Sequence, residues 1–423
     1  MFCLVSFMPV SSFAFSVIRD TETERVLLSY VRQFFAAGGL PPQNAEIVLV
    51  NDLSVNAFVA GGQTIFIHVG LITNAASVDD VAFVLAHETG HIIAGHASTG
   101  YEQYKSAQMT GLISGILGGI AGIVAGRPDA GLAMMMGAQG SAMGLFTSYR
   151  QQQESSADRR AIDIIGKTGY SLRGFETIMK KIQEQDRFNL SDVPSYWRTH
   201  PVTQTRVAEM NRFLANPKPT TQDQAFDRIK AKLIGFLYPV DQVARMYSGK
   251  TTVDKYARAI YFYRTHKMPA SIALIDELIK QEPNNPYFYE LKGQFLFETG
   301  QIGGAVAAYE QSVRLLPDAP LIRLSLAQAL LEEEKAASYA KAGEHLRQVV
   351  QQDQYIPLAW QLMATAYDRQ NKPVMASYAM AEWYQLQGNS AGAKKMAERA
   401  LKEIKPGTTA YQRLQDILSF SEK

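Results

Sequence analysis

Residues 87–91 read His87-Glu88-Thr89-Gly90-His91. On a helix, positions i and i+4 differ by about 40° in azimuth, so the two imidazoles face one point and can bind one metal ion. Glu88 lies about 100° further round, beside that point, where it can take a proton from a water molecule. Two histidines and a water leave one protein ligand to find. His96 would point about 180° from His87 on a continuing helix, so it reads instead as a charge at the helix C-terminus, where it suits the dipole. Glu154, in Gln153-Glu154-Ser155-Ser156-Ala157-Asp158-Arg159, is the better ligand. Glu154 and Asp158 are four apart and share a helix face. One can bind the ion while the other fixes a ligand histidine or donates a proton. Two imidazoles and a carboxylate make zinc the default metal.

The elements that must hold these groups are legible in outline. Arg19 to about Gly38 is an amphipathic helix with Val26, Leu27, Val31, Phe34 and Phe35 on its apolar side. Ile47-Val48-Leu49-Val50 and Thr64 to Val69 read as strands, with Gly61-Gly62 as a turn between them. The second run is the natural edge on which an extended substrate adds. Ser77-Val78-Asp79-Asp80 has capping-box form and opens the helix that carries the HExxH. This is an α+β domain, mostly helical, with a small sheet.

Residues 106–148 carry only Arg127 and Asp129 as charges, and glycines recur every three or four positions. Such spacing lets another backbone approach closely. A packed hairpin or subunit interface is the plain reading, and a peripheral contact with a membrane is its rival. Asn216 to Thr221 looks like a linker, and residues 216–255 together read as linker and connecting helix. Beyond it, Pro283 and Pro317 are 34 apart, as are Pro286 and Pro320, and Gly293, Gly300, Ala305 and Tyr309 sit at tetratricopeptide offsets. About four repeats fill residues 256–423, with a short insertion near Glu332 to Ser338. His68, His266 and His345 read as structural: a strand face, a helix end and an exposed repeat face.

Composition narrows the class. Forty-two basic and 40 acidic side chains leave a formal charge of +2 over 423 residues, which gives no support to a nucleic-acid binder. Cys3 is the single cysteine, so no internal disulfide framework or cysteine zinc finger exists. Residues 1–16 are apolar, uncharged and end in small residues, as an export signal does.

The HExxH, followed 63 residues later by Glu154-Ser155-Ser156-Ala157-Asp158, resembles the zinc metallopeptidase family that includes HtpX and the CAAX prenyl proteases. Asn56 to Gly62 and Ile65 to Ile72 look like segments of that family too. With the C-terminal repeats, the chain is similar to the family's periplasmic, beta-barrel assembly-enhancing type. The resemblance implies a zincin-like domain over residues 17–215 and an α-solenoid after it. It implies one zinc per chain held by His87, His91 and Glu154, with Glu88 as general base and Asp158 as proton donor or ligand anchor. It also implies that the loop Trp197-Arg198-Thr199-His200-Pro201 lies over the metal, His200 serving as fourth ligand or lid. From the residues alone, His200 or Arg206 could equally stabilise an oxyanion. The implied function is endopeptidase action on misfolded or stalled outer-membrane proteins in the periplasm, with the repeats docking client or assembly machinery. The alternative is a chaperone or adaptor with a latent metal site.

Overall fold

The computed structural model describes residues 16–96, 143–178, 200, 204–213 and 218–421. The expected export signal, all but the last residues of the glycine-rich hairpin, and most of the loop around His200 lie outside the described residues. The described chain divides into two compact units, one up to residue 265 and one from residue 266 onward.

In the first unit, strands β1 (Val17–Ile18), β2 (Glu46–Val50), β3 (Ala57–Ala60) and β4 (Thr64–His68) form one sheet in the order β1-β2-β4-β3. β2 and β4 are parallel and the two outer pairings antiparallel. β4 is therefore interior, and β3 takes the outer place expected for β4. All five β4 residues are buried, as befits a strand flanked on both sides. Helix α1 (Thr21–Gly38) is capped by Asp20, whose side chain accepts from the Thr23 N–H, and buries Leu27, Val31, Phe34 and Phe35. Each buried phenylalanine contributes about 1.5–3 kcal/mol of transfer free energy.

After α2 (Val69–Asn74), helix α3 (Val78–Ile93) buries every residue from Val78 to Ile92, so it runs through the core with no solvent face. Ser77 at its N-cap makes no side-chain cap bond. Asp80 instead accepts from the Ala76 N–H, and Asp79 accepts from the Ser171 and Thr221 N–H groups. The expected capping box gives way to these bonds, which tie the start of α3 to distant parts of the chain.

Helices α4 (Met143–Thr168) and α5 (Gln204–Phe213) follow, then α6 (Gln224–Leu237), α7 (Val240–Met246) and α8 (Thr252–Arg264). The stretch expected as linker and connecting helix is more than a tether. Phe226, Ile229 and Leu233 of α6 enter the same core as α1 and α3. Beneath them lies a buried ionic network. Lys232 pairs with Asp20, while Glu22 accepts from Arg228 at 2.6 Å and from the Tyr256 hydroxyl at 2.8 Å.

The second unit is helical throughout its described length: α9 (Met268–Gln281), α10 (Pro286–Glu298), α11 (Ile302–Leu315), α12 (Pro320–Glu332), α13 (Ala336–Gln352), α14 (Pro357–Arg369), α15 (Pro373–Leu386), α16 (Ser390–Leu401) and α17 (Thr409–Ser421). Left-handed residues recur along it: His266 just before α9, and Gly300, Glu334 and Asn371 between α10 and α11, α12 and α13, and α14 and α15, all have φ between 55° and 74°. The spacings are 34, 34 and 37. The three extra residues are not in the turn at 332–338, where the insertion was expected. They lengthen α13 to 17 residues against 14 in α11. Gly293 serves the pairing of α10 with α11, since a Cβ there would meet the Tyr309 ring at 2.8 Å. His345 is half-buried rather than exposed, its Nδ1 3.0 Å from Arg323 Nη1. Among the described residues no helix is long and apolar enough to cross a membrane.

Candidate metal centre

The centre exists because α3 and α4 cross closely. A Cβ on Gly90 would come within 2.7 Å of the Ala157 carbonyl oxygen, so glycine between the two histidines lets the α4 backbone approach. Ala157, fully buried, is the small residue on the other side of that crossing. Glu154 and Asp158, one on each side of Ala157 in sequence, thereby face His87 and His91.

His87, His91, Glu154 and His200 each present a ligand atom within 4.8 Å of the others, and all four residues are buried. His87 Nε2 lies 3.0 Å from His91 Nε2 and 3.3 Å from Glu154 Oε2. Glu154 Oε1 is 3.4 Å from His91 Nε2 and 3.2 Å from His200 Nδ1, and His200 Nδ1 is 3.3 Å from His87 Nε2. Four donors placed about 2.0–2.1 Å from a tetrahedral ion stand roughly 3.3 Å apart. The observed separations fit such an ion. With a cation between them, the two Nε2 atoms at 3.0 Å can both turn a lone pair inward.

Glu88 stands outside the donor group. Its Oε1 is 3.3 Å from His200 Nε2, and burial pushes its carboxyl above the usual range despite His200 and His87 nearby. A buried carboxyl raised in this way holds a proton more readily than an exposed one, which suits a group that must take one up and give it back. Glu154 behaves oppositely. Burial would raise it, but His200, His87 and His91 hold it well below the usual carboxylate range. Burial drives His91 down to about 3, which leaves it neutral with a lone pair to offer.

Behind the donors, His87 Nδ1 is 2.9 Å from Asp158 Oδ1. Burial opposes a charge on His87, yet Asp158 and Glu154 raise it to about 10, and Asp158 itself is held down to about 2 against its own burial. Arg206, on α5 and 1 % exposed, donates Nε to Asp158 Oδ2 at 2.6 Å and Nη2 to Asp158 Oδ1 at 2.9 Å, with Nη1 3.0 Å from Glu154 Oε2. All three guanidinium nitrogens are engaged with carboxylates. The role at an oxyanion expected for Arg206 gives way to that of a buried anchor.

Every expected site residue is brought to this one place: His87, Glu88, His91, Glu154, Asp158, His200 and Arg206. His96, expected not to be a ligand, is outside the four donors, but it does not point away from them either: its Nδ1 lies 2.9 Å from His91 Nδ1. A continuing helix would turn it away, but α3 stops at Ile93 and Gly95 adopts φ 70°, turning His96 back toward the last helical turn. A glycine one residue before His96 was the available signal.

Residues 19–213 match Peptidase family M48, and residues 256–320 and 296–357 match the tetratricopeptide repeat. The chain is 26% identical to the beta-barrel assembly-enhancing protease of Yersinia pestis and 25% identical to that of Escherichia coli (strain K12), in each case over 86% of this chain and 76% of the relative. It is 21% identical to the mitochondrial metalloendopeptidase OMA1 of Schizosaccharomyces pombe, over 50% of this chain and 62% of that one.

Proposed function

Residues 19–213 form a peptidase family M48 domain and tetratricopeptide repeats follow it, so the chain is a metallopeptidase; from that premise we propose a zinc-dependent endopeptidase of the bacterial cell envelope. The observation that carries the reading is the convergence of two imidazoles and a carboxylate at 3.0–3.4 Å, with His200 completing the set. His87, His91 and Glu154 would be the ligands and His200 the fourth.

A divalent ion in that position supplies Lewis acidity, polarising a peptide carbonyl and making a nearby water more acidic. The residues do the rest. Glu88 accepts the proton of the attacking water and returns it to the leaving amine, work that suits a carboxyl raised by burial. Asp158 fixes the tautomer of His87 by accepting from its Nδ1–H. Arg206 holds Asp158 and Glu154 in place. His200 must leave the fourth position, or share it, for a carbonyl to enter. Among the described strands β3 is the outer one that lies against α3, so an extended substrate adds there rather than on β4.

The repeats, by stacking helix pairs into an extended surface, dock client or assembly machinery. The names of the relatives support outer-membrane proteins as clients, and an apolar, uncharged N-terminal stretch supports the periplasm as the site of action. Elemental analysis of the purified protein beside Glu154→Gln tests the centre. About one zinc per chain in the parent and much less in the variant is expected. Full zinc in the variant overturns Glu154 as a ligand, and no zinc in the parent overturns the metallopeptidase reading. Cleavage of unfolded outer-membrane proteins, absent in Glu88→Gln, tests the substrate class.

A further inference from the structure

The two imidazoles that face the metal position are backed differently. His87 is fully buried, and its Nδ1 meets a carboxylate that Arg206 pins from behind. His91 is 9 % exposed, and its Nδ1 meets Nδ1 of another imidazole, His96, at 2.9 Å with the two rings edge to face at 5.1 Å between centroids. Two ring nitrogens at that distance share one hydrogen, and the ligand chemistry decides which ring carries it. This holds for His91 as a ligand through Nε2, as the proposed function has it. Nε2 then carries a lone pair, the hydrogen sits on Nδ1, and Nδ1–H donates. His96 Nδ1 must accept, so its own hydrogen is on Nε2.

We propose that His96 is the positioning residue of metal ligand His91, an uncharged acceptor that fixes the ring's tautomer and plane as Asp158 does for His87. The chain delivers His96 there by ending α3 at Ile93 and reversing at Gly95. An uncharged acceptor polarises an imidazole less than a carboxylate does. His91 is therefore the weaker of the two imidazole ligands, and its backing lies toward the more exposed side of the centre.

Zinc affinity of the full chain, measured by competition with a chromophoric chelator, tests this with two substitutions. His96→Phe keeps the ring and removes the acceptor, and is expected to weaken zinc binding about 10–100-fold. His96→Asn places an amide oxygen near the Nδ1 position and is expected to restore most of that loss. Parent-like affinity in His96→Phe overturns the proposal, and so do equal losses in both variants. A parent chain that binds no zinc overturns the metal reading instead, so the two failures are told apart. A second reading needs no variant. In the cobalt-loaded parent with labelled histidine, the His91 Nδ1–H should give a shifted proton resonance protected from solvent exchange. Its rapid exchange overturns the proposal.

Discussion

The two units bury different things. Among its described residues the first buries His68, His87, Glu88, His91, Glu154, Asp158, His200, Arg206, Asp20, Glu22, Asp79, Asp80 and Lys232, whereas among the described residues of the second Arg323 and Glu382 are the only buried acidic or basic side chains. The core of the second is filled by small and aliphatic side chains, among them Ala305, Ala327, Ala342, Ala359, Ala366, Ala379, Ala393 and Ala397. A buried charge is tolerated only with its partners in place, so each member of the first set depends on specific others. Helix pairs that meet through alanine depend on a repeated close approach, and one position stands in for another along the array. In the first unit single atoms should therefore matter, and in the second unit the period.

The largest break in this comparison is expected at Glu88. Glu88→Gln keeps shape and burial but removes the proton carrier, so kcat should fall by about 10²–10⁴-fold. Zinc content and thermal stability should stay at parent values, because the amide is uncharged where burial already disfavours the charge. Peptide cleavage, metal analysis and thermal melting on one preparation check it. Activity loss accompanied by metal loss would place Glu88 among the ligands.

Next comes the anchor behind His87. Asp158→Asn leaves the buried Arg206 guanidinium with Glu154 as its remaining charged partner, so the cost should approach but not exceed the ~3–5 kcal/mol of a fully broken buried pair. Zinc affinity should fall about 10–100-fold as well, since His87 loses the acceptor that fixes its tautomer. Chemical denaturation of the metal-free protein separates the first effect from the second. The matching substitution in the repeats, Glu382→Gln, faces an Arg413 that is more than a third exposed and should cost far less.

Much of this is legible in the sequence. The HExxH is local, and helical periodicity alone puts its two imidazoles together. The Glu154–Asp158 pair needed a resemblance, because 63 intervening residues hide which face meets which. Strand order was not legible: β3 is a run of four residues, and its outer place follows from a pairing with β4 that hydrophobicity does not encode. The unbroken apolar run Ile65-Phe66-Ile67 is the available hint, since an outer strand more often alternates. Asn216 to Thr221 reads as a tether, yet Phe226, Ile229 and Leu233 behind it carry the spacing of a core-facing helix. His96 was lost to an assumption about where a helix ends, and Asp79 to a capping pattern that fits the letters but not the bonds.

A smaller, steric break is expected at Gly90. Gly90→Ala places a methyl 2.7 Å from the Ala157 carbonyl oxygen, a backbone atom that cannot swing aside. Overpacking of this kind costs about 1–3 kcal/mol, and separating α3 from α4 also moves Glu154 away from the histidines. Melting temperature and zinc affinity should fall together. A variant that melts lower yet holds zinc as the parent does would show that the crossing can relax without opening the centre.

The same change made in the repeats should have the opposite sign. Gly303 lies in α11, is exposed, and a Cβ there meets nothing within 4 Å. Its backbone φ lies outside the left-handed range, so alanine fits without strain. Gly303→Ala then acts mainly by narrowing the unfolded ensemble and should stabilise by about 0.4–1 kcal/mol. Denaturant unfolding, followed by a probe confined to the second unit, measures it. Trp360 and Trp383 are both there, and each of the chain's three tryptophans can be read out by selective labelling. A gain at Gly303 beside a loss at Gly90 is what the comparison requires, because one glycine keeps two backbones in contact and the other keeps only chain entropy. A loss at Gly303 would mean that its helix packs against something beyond the described residues, and the repeats would then be less forgiving of single atoms than their alanine core implies.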